Sequence, residues 1–279
     1  MRESAIKAVL CVSALVSVAV VIAIFAFFVY FSFPIIGDGM LSSIFSVRWH
    51  PFHGEYGIVT MIVGSLCLSL SSLVLAYPIG VGICCFAYSG APTPIIKVVM
   101  AVVRFMTSIP TVVYGFVAVF VLVPFLRRCF DVGTGYSWFA TSVMLSILII
   151  PTIVLVIQSR LCNSDDQLCL MSSALGLTSI QKVLWVLLPA ASPALVVAAI
   201  IGFGRALGDT MLALMLAGNA TQIPSSLLDS IRTMTAHISL VVATDSHSHA
   251  YHSLFACGII LFIISISASG VVRLLRVGR

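Results

Sequence analysis

Charged positions along this chain punctuate long apolar runs. None falls between Ala8 and Gly37, and Val9 to Phe33 is overwhelmingly apolar. A helix needs about 20 mainly apolar residues to cross the hydrocarbon core, so this run predicts a first span. It is too long for the core of a signal peptide and ends without a small-residue cleavage site, so the span is expected to be retained. A second charge-free run extends from Tyr56 to Ile96, and the turn-forming segment Tyr88-Ser-Gly-Ala-Pro-Thr-Pro94 interrupts it. What remains is a span from about Ile58 to Phe86. The same reading gives a third span at about Val98–Val123 and a fourth at about Trp138–Gln158. The fifth follows Pro189 and ends near Ala217, and the sixth covers about Leu254–Val272.

The expected architecture is an all-α polytopic membrane protein with six transmembrane helices, forming one domain over residues 1–279. Pro78, Pro110 and Pro151 lie inside apolar runs and are expected to kink their helices. Two connecting segments stand out by length. One runs from Ser159 to Leu188 and the other, polar and rich in Ser, Thr and His, from Gly218 to Ser253.

Composition agrees with this reading and narrows it. Of 279 residues, 61% are hydrophobic and 8% charged, against about a quarter charged in a soluble domain. A soluble enzyme, a secreted disulfide scaffold and a disordered regulator are excluded. The formal charge of +5 does not predict nucleic-acid binding, because the basic residues stand singly or in pairs at segment ends. Cys11, Cys67, Cys84, Cys85 and Cys257 lie within apolar runs, where cysteine acts as a small hydrophobe.

Lysine and arginine set the expected orientation. With both termini inside, the inner set is Arg2, Lys7, Lys97, Arg104, Arg160, Lys182, Arg273, Arg276 and Arg279. The outer set is Arg48, Arg127, Arg128 and Arg232, and Arg205 is left within the membrane. The imbalance predicts cytoplasmic termini, although the Arg127-Arg128 pair opposes it. Arg104 is expected to snorkel toward the headgroups.

Two segments carry candidate chemistry. In the inner segment, Ser172–Leu175 can form a short helix ended by Gly176. Thr178 or Ser179 can cap a second helix that leads to Pro189. Such a helix pair on the inner face could plug into a soluble partner. In the fifth span, Gly202-Phe-Gly-Arg-Ala-Leu-Gly-Asp-Thr210 puts an arginine ~20 Å of helix beyond Pro189, at bilayer depth. A charge there costs at least ~2.5–3.5 kcal/mol. Arg205 and Asp209 stand at i and i+4 and are expected to pair, while Gly202, Gly204 and Gly208 would let other helices approach. Either the pair is a structural clamp or it lines a translocation path.

From Ser172 to Pro189 the chain resembles the inner-membrane permeases of binding-protein-dependent ABC importers. Their cytoplasmic signature is Glu-Ala-Ala, a Gly, nine residues, an apolar residue, one more residue, and Leu-Pro. Gly176, Val186, Leu188 and Pro189 match that spacing, while Leu170, Met171 and Ser172 stand in place of Glu-Ala-Ala. The resemblance implies a coupling loop over about 159–189, in which Ala174, Gly176, Leu188 and Pro189 dock on an ATPase. The neighbouring Asp165-Asp166 pair could supply the missing acid.

The fifth span is similar to the Gly-Arg-Ala-x-Gly-Glu-Thr segment of the phosphate-specific members, with Asp209 replacing Glu. Ser108-Ile-Pro-Thr-Val-Val-Tyr-Gly115 is similar to another segment of that family, and brings Pro110, Tyr114 and Gly115 into the expected helix packing. Ala217-Gly-Asn219 and Ile223-Pro-Ser-Ser-Leu227 resemble the PstC side more than its PstA partner. The resemblance runs from Pro51 to Arg273. It implies a type I ABC importer permease fold and a phosphate path through Arg205, Asp209 and Thr210. The implied partners are a PstA-like second permease, an ATPase dimer, an extracytoplasmic phosphate-binding protein and membrane lipid, in a bacterial inner membrane.

No P-loop Gly-x-x-x-x-Gly-Lys-[Ser/Thr] occurs in the chain. The chain is therefore expected to be a transporter subunit without a cofactor or enzyme activity of its own, with ATP and magnesium held by the partner ATPase. His247, His249 and His252 beside Asp245 could in principle bind a metal; a solvated docking surface is the plainer expectation, so no metal site is assigned. Two alternatives remain open: another oxyanion such as molybdate, tungstate or sulfate, and a sensor or scaffold that keeps the fold without transport.

Overall fold

The computed structural model describes residues 2–37, 41–90, 92–130, 134–161, 166–244 and 249–277. Among them, five helices are long and apolar enough to cross a bilayer, six if one bent pair counts as a single span. The first span, Arg2–Gly37, packs against the last, His249–Val277. Aromatic rings carry that contact: Phe25 stacks on Phe262 and Phe31 on Phe255, each at 5.0 Å between centroids. Apart from half-buried positions such as Phe25 and Phe28, the first span is exposed from residue 6 to residue 30, as suits a helix bathed in lipid.

The core lies between the second span, Val59–Tyr88, the fourth, Trp138–Leu161, and the helix Ser192–Gly208. Lipid tails are as apolar as leucine, so membrane helices associate through close packing of small residues. The second span supplies them as a seam: Ser65, Ser69, Ser72, Ala76, Gly80 and Cys84, all buried at steps of three or four. A Cβ on Gly80 would sit 2.7 Å from Ile153 Cγ2, and the Cys84 thiol points at the Val154 carbonyl 3.5 Å away. Two seam hydroxyls bond within their own helix, Ser69 Oγ donating to Ser65 O at 2.6 Å and Ser72 Oγ to Leu68 O at 2.7 Å, while Ser65 Oγ accepts Met234 N–H at 2.8 Å.

The third crossing departs from the expected Val98–Val123. Helix Thr93–Ser108 ends before Ile109, whose ψ of 124° is extended, as a residue preceding proline prefers. A new helix then runs Thr111–Phe130 and makes the crossing. Pro110 therefore breaks the helix instead of kinking it, whereas Pro78 and Pro151 stay within continuous helices. Tyr114 Oη donates to Met106 O at 2.9 Å and ties the two pieces together.

The segment from Gly218 to Ser253 is less polar in its fold than in its sequence. It contains an apolar helix, Met234–Thr244. Met234 and His237 are completely buried there, in a second core with Ile44, Trp49, Tyr56, Ile58 and Met61. A small hairpin pairing Trp49 with Tyr56 and His50 with Glu55 closes this layer. Residues 217–231 also cover the start of the fourth span, accepting Trp138 N–H at Asp229 O (2.9 Å) and Phe139 N–H at Leu227 O (2.8 Å). These contacts satisfy donors that a helix N-terminus leaves open.

Candidate translocation path and coupling surface

The fifth span is broken twice. Helix Ser179–Ala190 meets Ser192–Gly208 at 71°, with the turn at Ala191. The second break follows Gly208, where Asp209 has an extended ψ of 122°, and a short helix, Met211–Leu216, continues the chain. Asp209 Oδ1 accepts Leu212 N–H at 2.8 Å, so the carboxylate caps the new helix. Its carbonyl accepts Thr235 Oγ1–H at 3.1 Å. Thr210 lies in the break, half-buried, and its carbonyl accepts Leu214 N–H at 2.9 Å.

The expected i, i+4 pair does not form. The continuous helix it requires ends at Gly208. Arg205 Nη1 instead donates to Thr152 Oγ1 on the fourth span at 3.0 Å. A guanidinium has five N–H donors, and this is the hydrogen bond that positions the head group.

The glycines divide in the same way. Gly202 is buried, and a Cβ there would lie 3.2 Å from Ile153 Cγ1 and 3.4 Å from Leu73 Cδ1. Added Cβ atoms on Gly204 and Gly208 would meet nothing within 4 Å. These two therefore pack against no other helix among the described residues. With Arg205 they form an uncovered face of the helix. Opposite Met211–Leu216, Gly115 admits the Met215 sulfur so closely that a Cβ would lie 2.5 Å from it. Pro110 is exposed and Tyr114 buried.

At the other end lies the expected coupling segment. Helix Asp166–Ala174 closes with Leu177 N–H donating to Ser172 O (3.2 Å) and Gly176 N–H to Ser173 O (3.1 Å). This is the paired ending that needs a left-handed residue, and Gly176 has φ +69°. Thr178 caps the next helix in a reciprocal box with Gln181. Leu175 and Trp185 are 78% and 77% exposed, and Leu170, Met171 and Ile180 are also open. Ala174 and Pro189 are exposed, and Leu188 is half-buried. The loop at Gly90 touches Ser179, since a Cβ on Gly90 would come 2.8 Å from Ser179 Oγ. Of the acidic pair proposed to replace the signature glutamate, Asp165 and the side chain of Asp166 lie outside the described residues.

Residues 76–277 match the family described as binding-protein-dependent transport system inner membrane component. The chain belongs to this family. It is an ABC importer permease subunit, not itself an enzyme. A probable ABC transporter permease protein, YqgH of Bacillus subtilis (strain 168), is 33% identical over 84% of this chain and 77% of its own. Phosphate transport system permease proteins PstC of Xylella fastidiosa (strain 9a5c) and Pasteurella multocida (strain Pm70) are 28% and 29% identical. Those matches cover 84% and 81% of this chain, and 78% and 77% of theirs. Among solved structures, the MetNI methionine ABC transporter in an inward-facing conformation shares the fold at a TM-score of 0.62 and 21% identity. That match covers 78% of this chain and 95% of that one. An amino acid ABC transporter with histidines follows at 0.55 and 16%, covering 77% and 92%. The type I permease fold expected for the sequence is the fold observed.

Sequence reasoning missed Thr152 as the partner of Arg205, and Thr235 as the hydroxyl held at the Asp209 break. Neither is close in sequence to the residue it serves. The histidine cluster falls largely outside the described residues, which include neither Asp245 nor His247. His252 Nδ1 is 3.0 Å from Phe31 O, joining the last span to the first.

Proposed function

We propose that this chain is one of two membrane subunits of an ATP-driven phosphate importer, acting as a single membrane domain that forms half of the anion path. The observation that carries the reading is Arg205. Its guanidinium is held by a neutral hydroxyl and sits on an uncovered glycine-lined face beside a helix break. A planar fork of donors suits a tetrahedral oxyanion, and a site on a route must bind weakly enough to release. Several PstC proteins among the relatives favour phosphate. A guanidinium also accepts molybdate, tungstate or sulfate, so competition decides among them.

In this reading the apolar surface around Gly176 docks on an ATPase dimer that binds ATP and magnesium. The exposed Gly204–Gly208 face meets a second, PstA-like permease. An extracytoplasmic phosphate-binding protein delivers the anion to the opposite side, and both termini are cytoplasmic in a bacterial inner membrane. The test is uptake of labelled phosphate into proteoliposomes holding all these subunits. Uptake should require ATP, and excess molybdate, tungstate or sulfate should leave it unchanged. ATP-independent flux, no flux, or displacement by another oxyanion would overturn the reading.

A further inference from the structure

Arg232 lies outside the spans, just before helix Met234–Thr244. It is half-buried, and burial pushes its pKa down from the ordinary value. An arginine nevertheless stays charged. Its Nε donates to Asn219 O at 2.9 Å, and no carboxylate pairs with it among the described residues. A half-buried cation without a counter-charge is costly unless something anionic visits it.

Its setting is built. Asn219 holds a left-handed φ of 59°, ties its Nδ2 to Leu214 O at 2.8 Å, and leaves its buried Oδ1 without a donor. The Arg232 backbone sits directly against Gly64, where an added Cβ would collide with its carbonyl oxygen. Met234 N–H, two residues on, donates to Ser65 Oγ at 2.8 Å. Thr233 and Thr235 hydroxyls are 3.1 Å apart, and Thr235 donates to Asp209 O. The segment carrying Arg232 is thus hydrogen-bonded to the break four residues beyond Arg205.

We infer that Arg232 is a second anion-binding residue on the route, receiving phosphate at the outer end before Arg205 does. The inference rests on the phosphate-importer reading above. Two cations in sequence, neither within salt-bridge distance of a carboxylate among the described residues, let an anion exchange one guanidinium for the next without a deep intermediate trap.

The test uses the complete reconstituted transporter with Arg232→Gln, Arg232→Lys and Arg205→Gln, probed with inorganic phosphate. Arg232→Gln should lower uptake at least tenfold, while stimulation of the ATPase by the loaded binding protein persists. Arg232→Lys cannot reproduce the Nε bond to Asn219 yet keeps the charge, and should retain a third or more of the uptake. Unchanged uptake in Arg232→Gln would overturn the inference. So would a Lys variant no better than Gln, which would make Arg232 a clamp for the loop. If Arg205→Gln transports normally while Arg232→Gln does not, the role given to Arg205 and the hand-over between the two fail, while anion binding at Arg232 stands.

Discussion

Arg205 on the fifth span donates to the hydroxyl of Thr152, 53 residues earlier on the fourth, at 3.0 Å. A neutral acceptor fixes the guanidinium without neutralising it. Thr152→Val keeps the side-chain shape and removes the acceptor. It should leave insertion intact and reduce phosphate uptake several-fold, because one such hydrogen bond contributes about 0.5–1.5 kcal/mol, roughly two- to tenfold in rate. Uptake normalised to inserted protein measures this.

Gly176 is constrained by its backbone and not by space, since a Cβ would meet nothing within 4 Å while φ is +69°. Placing a β-branched residue there costs roughly 1–2 kcal/mol. Gly176→Val should therefore unseat the turn and uncouple ATP hydrolysis from uptake in a protein that still inserts. Gly176→Asn, which tolerates the left-handed region, should be far milder. The ratio of phosphate moved to ATP hydrolysed reads both.

Asp229 organises the loop between helices Met211–Leu216 and Met234–Thr244. Its Oδ2 accepts from Ser225 N (2.8 Å), Ser225 Oγ (2.9 Å) and Ser226 N (2.8 Å). These bonds hold the carboxyl below its ordinary range. Its contribution to loop order is therefore fully present above the ordinary carboxylate pKa and is lost as pH falls through the lowered one. At neutral pH, Asp229→Asn should raise hydrogen exchange over residues 222–230. The difference from wild type should vanish once pH drops below the lowered value.

Much of this was legible in the sequence, and the failures have physical causes. Charge-free runs located four of the crossings, the first, second, fourth and sixth, because burial in lipid demands them. Gly176 and Thr178 were readable because helix ends depend on local chemistry. The break at Pro110 was hidden inside a mostly apolar run, whose one charge, Arg104, suits a span end as well as a break. The break at Asp209 was hidden by the i, i+4 spacing itself, which is meaningful only on a continuous helix. Thr152 could not be found, because a tertiary partner leaves no local signal. Gly204 and Gly208 looked like packing residues, but among the described residues nothing lies within 4 Å of a Cβ added at either.

Sidedness is tested by single cysteines in a background without native ones. Cysteine at Ser226 should react with an impermeant maleimide from outside. Cysteine at Ser179, which lies against the Gly90 turn, should react only after the membrane is opened. The reverse pattern would invert every assignment of inner and outer surface.

The proposed contact between Arg205 and the anion is probed by the neutral double variant Arg205→Gln, Asp209→Asn. Asparagine is as good a helix cap as aspartate, so the break should survive. Arg205→Lys, which keeps the charge without the fork, should retain partial uptake, and Asp209→Glu should keep most of it. The measurement is phosphate uptake by the reconstituted transporter, normalised to inserted protein. The double variant should insert normally with uptake abolished; near-normal uptake would show that Arg205 does not meet the anion and is only a structural tie to Thr152.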